Sequence, residues 1–285
     1  MLHSFLVTSD TSLSTSIAQF LIPLPWHARQ QHLQFAAAND FGLEILAFCS
    51  GPALNNEQVR RERSQELQKQ LQDFTGPLAF HGAFIDIALH SIDDSIAAAS
   101  KARIERDLAT ACELGCGKAV FHTGFNPNVS VPRYAEEVVE GQSAFWADAI
   151  TGFPDIVICL ENTYEPDAIV LQRIVQNVAS PRCRVCLDVA HAHVFGAETP
   201  ERWFEPLAPW IAHMHWNDNM GATDNHLPIG DGLIRWPLIW ERTQVLPQAV
   251  TVTLELGSLQ AIRRSLLQLE RLGIWQPRAF VSAAA

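Results

Sequence analysis

Eight short runs rich in β-branched and apolar residues alternate with helical patterns along the chain. The runs are residues 4–8, 43–49, 78–84, 119–125, 156–163, 185–191, 211–218 and 251–258. One helical pattern, from about residue 95 to 114, is followed by Gly115, a residue type that commonly ends helices. Another, from about residue 56, places Arg63 on an apolar stripe. Such alternation predicts parallel strands joined by helical crossovers, in an open doubly wound sheet or a closed (β/α)8 barrel.

Ionisable residues near the C-terminal ends of six runs favour the closed barrel. They are His81, His122, Glu161, Asp188, His215 and Glu255. In a barrel all strand C-termini meet at one rim, which carries the chemistry, whereas an open sheet would spread them along an edge. Side-chain alternation in the last run also fits a barrel. Thr251, Thr253 and Glu255 share one polar face, which suits the barrel interior and mouth. We therefore expect an α/β fold, a single-domain (β/α)8 barrel over residues 1–285.

The composition narrows the classes of function. The 285 residues are 48% hydrophobic, enough for one large core. Basic residues number 20 against 31 acidic ones, for a net charge of −11, which argues against a dedicated polyanion-binding surface. Several of the six cysteines lie in apolar runs, which indicates buried free thiols in a reducing compartment. With no leader pattern and no long apolar stretch, we expect a cytoplasmic protein without a membrane span.

Four potential metal ligands end otherwise apolar strands. They are Glu161 in ICLENT, Asp188 in VCLDVAH, His215 in HMHWND and Glu255 in TLELGS. Burying an isolated carboxylate costs several kcal/mol unless it is paired or coordinated, and few lysines or arginines lie near these strand ends. The pattern predicts that all four bind one divalent metal ion. A mixed histidine and carboxylate set suits Zn²⁺ or Mn²⁺ more than Mg²⁺.

A second set of candidate residues lies beside the first. It consists of His81, His122, His191, Asp224 and His226. These residues predict either further metal ions, for one to three per chain, or contacts with a polar substrate. His213 has the parity of His215 but lies one layer deeper, which predicts a hydrogen-bonded core histidine.

The motifs FHTG, LENT, LDVAHA, HMHWND and DNHLPIGDG together resemble those of the xylose-isomerase-like TIM barrel superfamily. This superfamily includes sugar isomerases and epimerases and the endonuclease IV type of abasic-site nuclease. The likeness covers about residues 43–270. It implies that the four residues of the first set match the shared metal ligands. It also implies that His191 matches a substrate-contacting histidine of the epimerases and a zinc ligand of the nucleases. The remaining nuclease ligands are matched by His81, His122, Asp224 and His226.

Three departures from the nuclease pattern favour the sugar enzymes. The segment between HWND and DNH is short and lacks basic residues, the loop NPNVSVPRY after His122 differs, and the chain has few lysines. The loops expected at the mouth contain one basic residue, Arg133. Their acidic residues are Glu165, Asp167, Glu198, Glu201, Asp218 and Asp224. A mouth with this balance of charges would repel a polyanion while accepting a neutral polyol, so we do not expect nucleic acid as a partner.

The expected activity is a metal-dependent isomerisation or epimerisation of a small sugar or related polyol. Glu161 and Glu255 would exchange the substrate proton from opposite sides, through an enediolate intermediate. The alternatives are an abasic-site phosphoesterase, a polyol dehydratase or other lyase, and a non-catalytic metal-binding barrel. The sequence is compatible with a homo-oligomer and does not determine the oligomeric state.

Overall fold

The computed structural model describes residues 17–276, and the structural statements below concern this part of the chain. Eight parallel strands form a closed barrel in sequential order, with β1 beside β8. They are β1 (Ile17–Leu24), β2 (Gly42–Ile45), β3 (Leu78–His81), β4 (Lys118–His122), β5 (Val157–Glu161), β6 (Cys183–Asp188), β7 (Ile211–Trp216) and β8 (Val250–Leu254). The predicted (β/α)8 barrel is confirmed.

Helices follow the strands and surround the barrel. They are α1 (Arg29–Asn39), α2 (Pro52–Asn55), α3 (Glu57–Leu71), α4 (Asp94–Glu113), α5 (Tyr134–Gly152), α6 (Ile169–Val178), α7 (Val189–Val194), α8 (Pro200–Leu207), α9 (Trp236–Gln244) and α10 (Leu259–Arg271). Helix α4 ends as expected, with Gly115 close behind it at a φ of +73°, a conformation that favours glycine. Within residues 17–276, no helix is both long and apolar enough to cross a membrane.

The first barrel strand is not where the sequence placed it. The predicted run, residues 4–8, lies outside the described residues, and Ile17–Leu24 occupies the position between β2 and β8. Pro23 lies within this strand and Pro25 directly follows it. Proline cannot donate a backbone hydrogen bond and normally argues against an interior strand, which explains why this run was missed.

Side chains of the strands alternate between the barrel interior and the layer of helices. On β8, Val252 and Leu254 are buried towards the helices, whereas Thr251 and Thr253 contact His213 in the interior. This is the parity that the sequence predicted. The same alternation directs side chains at the C-terminal strand ends to one rim.

Candidate metal centre

Glu161, Asp188, His215 and Glu255 come together at the C-terminal rim. One ligand atom of each lies within 4.8 Å of the others. His215 Nδ1 is 3.2 Å from Glu161 Oε1, 3.4 Å from Glu255 Oε2 and 3.8 Å from Asp188 Oδ2. Ligand atoms bound about 2.0–2.3 Å from one cation stand roughly 3–4 Å apart. The spacing of these atoms therefore fits a shared divalent cation.

Three carboxylate oxygens of this cluster are buried without a hydrogen-bond partner among the described residues, namely Glu161 Oε2, Asp188 Oδ2 and Glu255 Oε2. Burial, together with the charges of Glu255 and Glu161, raises the pKa of Asp188 to about 7. Such a group is costly unless a cation neutralises it. Three carboxylates with unpaired oxygens and one imidazole thus suit a divalent metal ion. We call these four residues the central group.

Asn162, from the LENT motif, fixes the position of Asp188 in the central group. Its Nδ2 donates to the Asp188 carbonyl and its Oδ1 accepts from the Asp188 N–H, both at 2.9 Å. Asp188 Oδ1 caps α7 by accepting from the His191 N–H at 2.6 Å. One oxygen of Asp188 is thereby used within the fold, and the other faces the centre.

His81 and His122, at the ends of β3 and β4, approach Glu161 from another side. Their Nε2 atoms lie 3.5 and 3.1 Å from Glu161 Oε2. Burial alone would raise the pKa of Glu161, but the imidazoles of His122 and His215 hold it well below its usual range. Glu161 therefore places one oxygen in the central group and the other in a second group with His81 and His122.

A third group consists of His191, Asp224 and His226. The Nε2 atoms of the two histidines lie 3.3 and 2.9 Å from Asp224 Oδ2. Their Nδ1 atoms donate to the backbone carbonyls of Asn162 and Glu255, each at 2.9 Å. Since the hydrogens are on Nδ1, both Nε2 lone pairs face the carboxylate, an arrangement that needs a cation or an added proton. All nine residues predicted for the site are thus close neighbours.

Glu44 is a buried carboxylate that the sequence interpretation missed. From β2 it points into the barrel, where the Nε2 atoms of His215 and His213 each lie 3.1 Å from it. Thr253 donates a further hydrogen bond to it. His213 is fully buried and hydrogen-bonded, as predicted. A lone carboxylate in the apolar run GLEIL was a usable signal, but its mid-strand position concealed it.

A cavity of about 540 Å³ opens over these groups. The side chain of Glu255 is 14% exposed there, whereas Glu161 has no exposed surface. Trp26 and Arg63 also line the cavity, and the guanidinium carbon of Arg63 is 4.8 Å from the centre of the Trp26 ring. Arg29 lies 4.0 Å from the same ring. Arg63 is the one arginine or lysine in the lining of this cavity, as far as the structure describes it.

Two of the six acidic residues expected at the mouth are instead buried within the fold. Asp218 is fully buried, and its carboxylate accepts from the Gly230 and Ile234 N–H groups and from Trp236 Nε1, at 2.9, 3.2 and 2.9 Å. Glu165 is also buried, and burial raises the pKa of its carboxyl. These two acids hold loops together instead of facing the cavity.

The sequence matches the family described as xylose isomerase-like TIM barrel over residues 35–256. The chain belongs to this family. The matched range contains all nine residues of the three groups. It extends from α1 to the residue pair that follows β8, so it includes seven of the eight barrel strands.

Other proteins are similar to this chain in sequence or share its barrel. The uncharacterized protein MJ1311 of Methanocaldococcus jannaschii is 25% identical over 190 residues, which are 62% of this chain and only 64% of that relative. A D-tagatose 3-epimerase-like protein superposes with a TM-score of 0.74 at 21% identity, covering 90% of this chain and 97% of the other. The TTHB071 protein from Thermus thermophilus, soaked with ZnCl₂, gives 0.71 at 26% identity, with 90% and 99% covered. Solved L-ribulose and D-psicose 3-epimerases share the barrel.

Proposed function

We propose that this protein is a divalent-metal-dependent isomerase or epimerase of a small sugar or related polyol. The observation that carries the proposal is the central group beneath a cavity into which Glu255 is exposed. About 540 Å³ suits a small polar molecule. The sugar epimerases that share the barrel support this class, and the zinc-soaked Thermus relative supports a divalent cation, Zn²⁺ or Mn²⁺ in preference to Mg²⁺.

The four residues of the central group would hold the divalent cation, which would supply Lewis-acid polarisation of the substrate carbonyl. Glu255 is the central carboxylate that the cavity reaches, so we assign it the removal of the proton next to the carbonyl. Glu161, on β5, would return the proton. Glu161 is enclosed, so its proton would pass to the cavity through His122. His122 lines the cavity, and its Nε2 lies 3.1 Å from Glu161 Oε2. His191 also lines the cavity and is placed to bind a hydroxyl.

A metal-dependent phosphoesterase is the second candidate, and one observation favours it. The second and third groups add donor sets next to the central group, so as many as three cations have ligands. Hydrolysis of phosphate esters commonly uses clustered cations. A nucleic-acid backbone, however, requires several cationic contacts, and the cavity lining offers Arg63 alone among arginines and lysines.

The test is proton exchange. The metal-free protein is loaded with Zn²⁺, Mn²⁺ or Mg²⁺, its bound metal is counted by elemental analysis, and ketoses and aldoses are incubated with it in deuterated water. We expect metal-dependent incorporation of deuterium at the carbon next to the carbonyl, and NMR measures this incorporation. A duplex with an abasic site is assayed with the same preparations. Metal-dependent incision without exchange would overturn the proposal in favour of the phosphoesterase.

A further inference from the structure

A column of polar side chains crosses the barrel interior beneath the central group. Lys118 Nζ donates to Thr251 Oγ1 at 2.6 Å, and the Thr251 hydroxyl lies 2.6 Å from His213 Nδ1. His213 Nε2 lies 3.1 Å from Glu44, and Glu44 lies 3.1 Å from His215 Nε2. The column thus connects the lower barrel to one member of the central group.

The chemistry of the donors fixes where the hydrogens lie in this column. The Lys118 ammonium only donates, so the Thr251 oxygen accepts from it and the Thr251 hydroxyl donates to His213 Nδ1. With the Thr251 hydroxyl hydrogen directed at His213 Nδ1, the hydrogen of the His213 ring lies on Nε2, which is 3.1 Å from the Glu44 carboxylate. The Glu44 carboxylate only accepts, so the Nε2 hydrogens of His213 and His215 both point at it.

The consequence for His215 is specific. When a cation occupies the central group, the His215 ring carries one hydrogen, which Glu44 holds on Nε2, so Nδ1 keeps its lone pair for the cation. That atom lies 3.2–3.8 Å from carboxylate oxygens of the other three members of the central group. The ring is therefore fixed in the tautomer and orientation that a metal ligand needs.

We propose that Glu44 is the positioning residue of the central group, which sets its metal affinity by orienting His215. This inference rests on the metal centre of the proposed function. Glu44 does not line the cavity, so its effect passes through His215. Its own carboxylate is held from three sides, by His213, His215 and Thr253. A carboxylate behind a metal-bound imidazole is typically worth about 10- to 100-fold in metal affinity.

The experiment measures Zn²⁺ affinity of the full-length, metal-free protein by competition with a chromophoric chelator. We expect Glu44→Gln to weaken the binding of one equivalent of Zn²⁺ about 10- to 100-fold. The reason is that an amide oxygen can accept from one imidazole while the amide NH₂ opposes the other. Glu44→Asp should recover part of the affinity. ¹⁵N NMR of the zinc-loaded protein should show His215 with its hydrogen on Nε2, a signal that Glu44→Gln alters.

The matched control is Asp107→Asn. Asp107 is equally buried, but it lies on α4 and pairs with Arg60 at 2.6 Å, outside the central group. We expect this variant to lose stability without losing zinc affinity. If Glu44→Gln does not fold, Thr253→Val removes one donor to Glu44 and should lower zinc affinity in the same direction by less.

The outcomes separate this inference from the proposed function. Unchanged zinc affinity and an unchanged His215 signal in folded Glu44→Gln, or unchanged affinity in Thr253→Val, would overturn the positioning role. An equal loss of affinity in Asp107→Asn would overturn it as well, because the loss would then follow stability. If the zinc effect is found but no sugar undergoes exchange, the positioning role stands and the isomerase proposal fails.

Discussion

Asn162 and Asp188 join the ends of β5 and β6 by two reciprocal hydrogen bonds, each 2.9 Å long. The Asn162 carbonyl accepts a third bond, from His191 Nδ1. One asparagine thereby sets the spacing of two strand ends and the tautomer of a histidine in the third group. None of these roles needs contact with a metal ion or a substrate.

Replacing Asn162 by Ala should therefore damage both stability and metal binding. It removes both partners of the Asp188 backbone in a buried place, which we expect to lower the free energy of unfolding by about 1–3 kcal/mol. Zinc affinity should fall because Asp188 Oδ2 is no longer held in position. Urea unfolding and chelator competition measure the two effects, with exposed Asn128→Ala as the control. Wild-type values for both would show that the strand ends hold their spacing without this side chain.

Glu255→Gln should keep the fold and lose nearly all turnover. The amide has the same size, but it cannot take a proton and removes one ligand charge. Circular dichroism and the deuterium-exchange rate test the two halves of the prediction. Exposed Glu105→Gln serves as the control and should exchange like the wild type. A near-normal exchange rate in Glu255→Gln would remove Glu255 from the mechanism.

Removing the metal with a chelator should lower the thermal unfolding temperature. Without a cation, Asp188 Oδ2 and Glu255 Oε2 are buried and unpaired. A ligand present at 100 times its Kd stabilises a native protein by about 2.7 kcal/mol. Scanning fluorimetry with EDTA, and with Zn²⁺, Mn²⁺ or Mg²⁺ restored, should rank Zn²⁺ and Mn²⁺ above Mg²⁺. An unfolding temperature that changes neither with EDTA nor with any of the three metal ions would contradict the metal centre.

Arg63 should favour substrates with an anionic group. Its guanidinium lines the cavity and donates to the Ala47 carbonyl at 2.6 Å, and no carboxylate pairs with it among residues 17–276. A hydrogen bond to a charged group contributes about 1.5–3 kcal/mol, or roughly tenfold or more in affinity. Calorimetry should show sugar phosphates or sugar acids binding more tightly than neutral sugars, with the difference lost in Arg63→Gln. Arg61→Gln, on the exposed side of α3, should retain it. Equal affinities for neutral and anionic sugars in the wild type would contradict the prediction.

The sequence predicted the barrel and the residues of its rim because both follow from local patterns. A strand of five or six residues with one ionisable side chain at its end is visible without knowing its neighbours. The features that escaped depend on contacts between distant segments. Glu44 becomes part of the site only because β7 and β8 deliver His215 and Thr253 to it. Arg63 reaches the cavity from a helix on which it was expected merely to cover apolar surface.

Acidic loop residues were the least predictable. Asp218 and Glu165 have the composition of an exposed loop, yet each satisfies several donors inside the structure. No pattern in the sequence distinguishes a carboxylate that repels ligands from one that ties a loop to itself. That distinction arises only when the backbone N–H groups around it are in place.

The third group differs in origin from the other two. Their ligands stand on or next to barrel strands, whereas Asp224 and His226 belong to the connection between β7 and α9. Two sets of hydrogen bonds hold this connection. The Asp218 carboxylate accepts from the Gly230 N–H and from Trp236 Nε1, and His226 Nδ1 donates to the Glu255 carbonyl. His226 itself adopts a left-handed backbone with a φ of +47°. The number of donor sets that the barrel presents, two or three, therefore depends on one connecting segment, whereas the other donor sets come from the strand ends themselves.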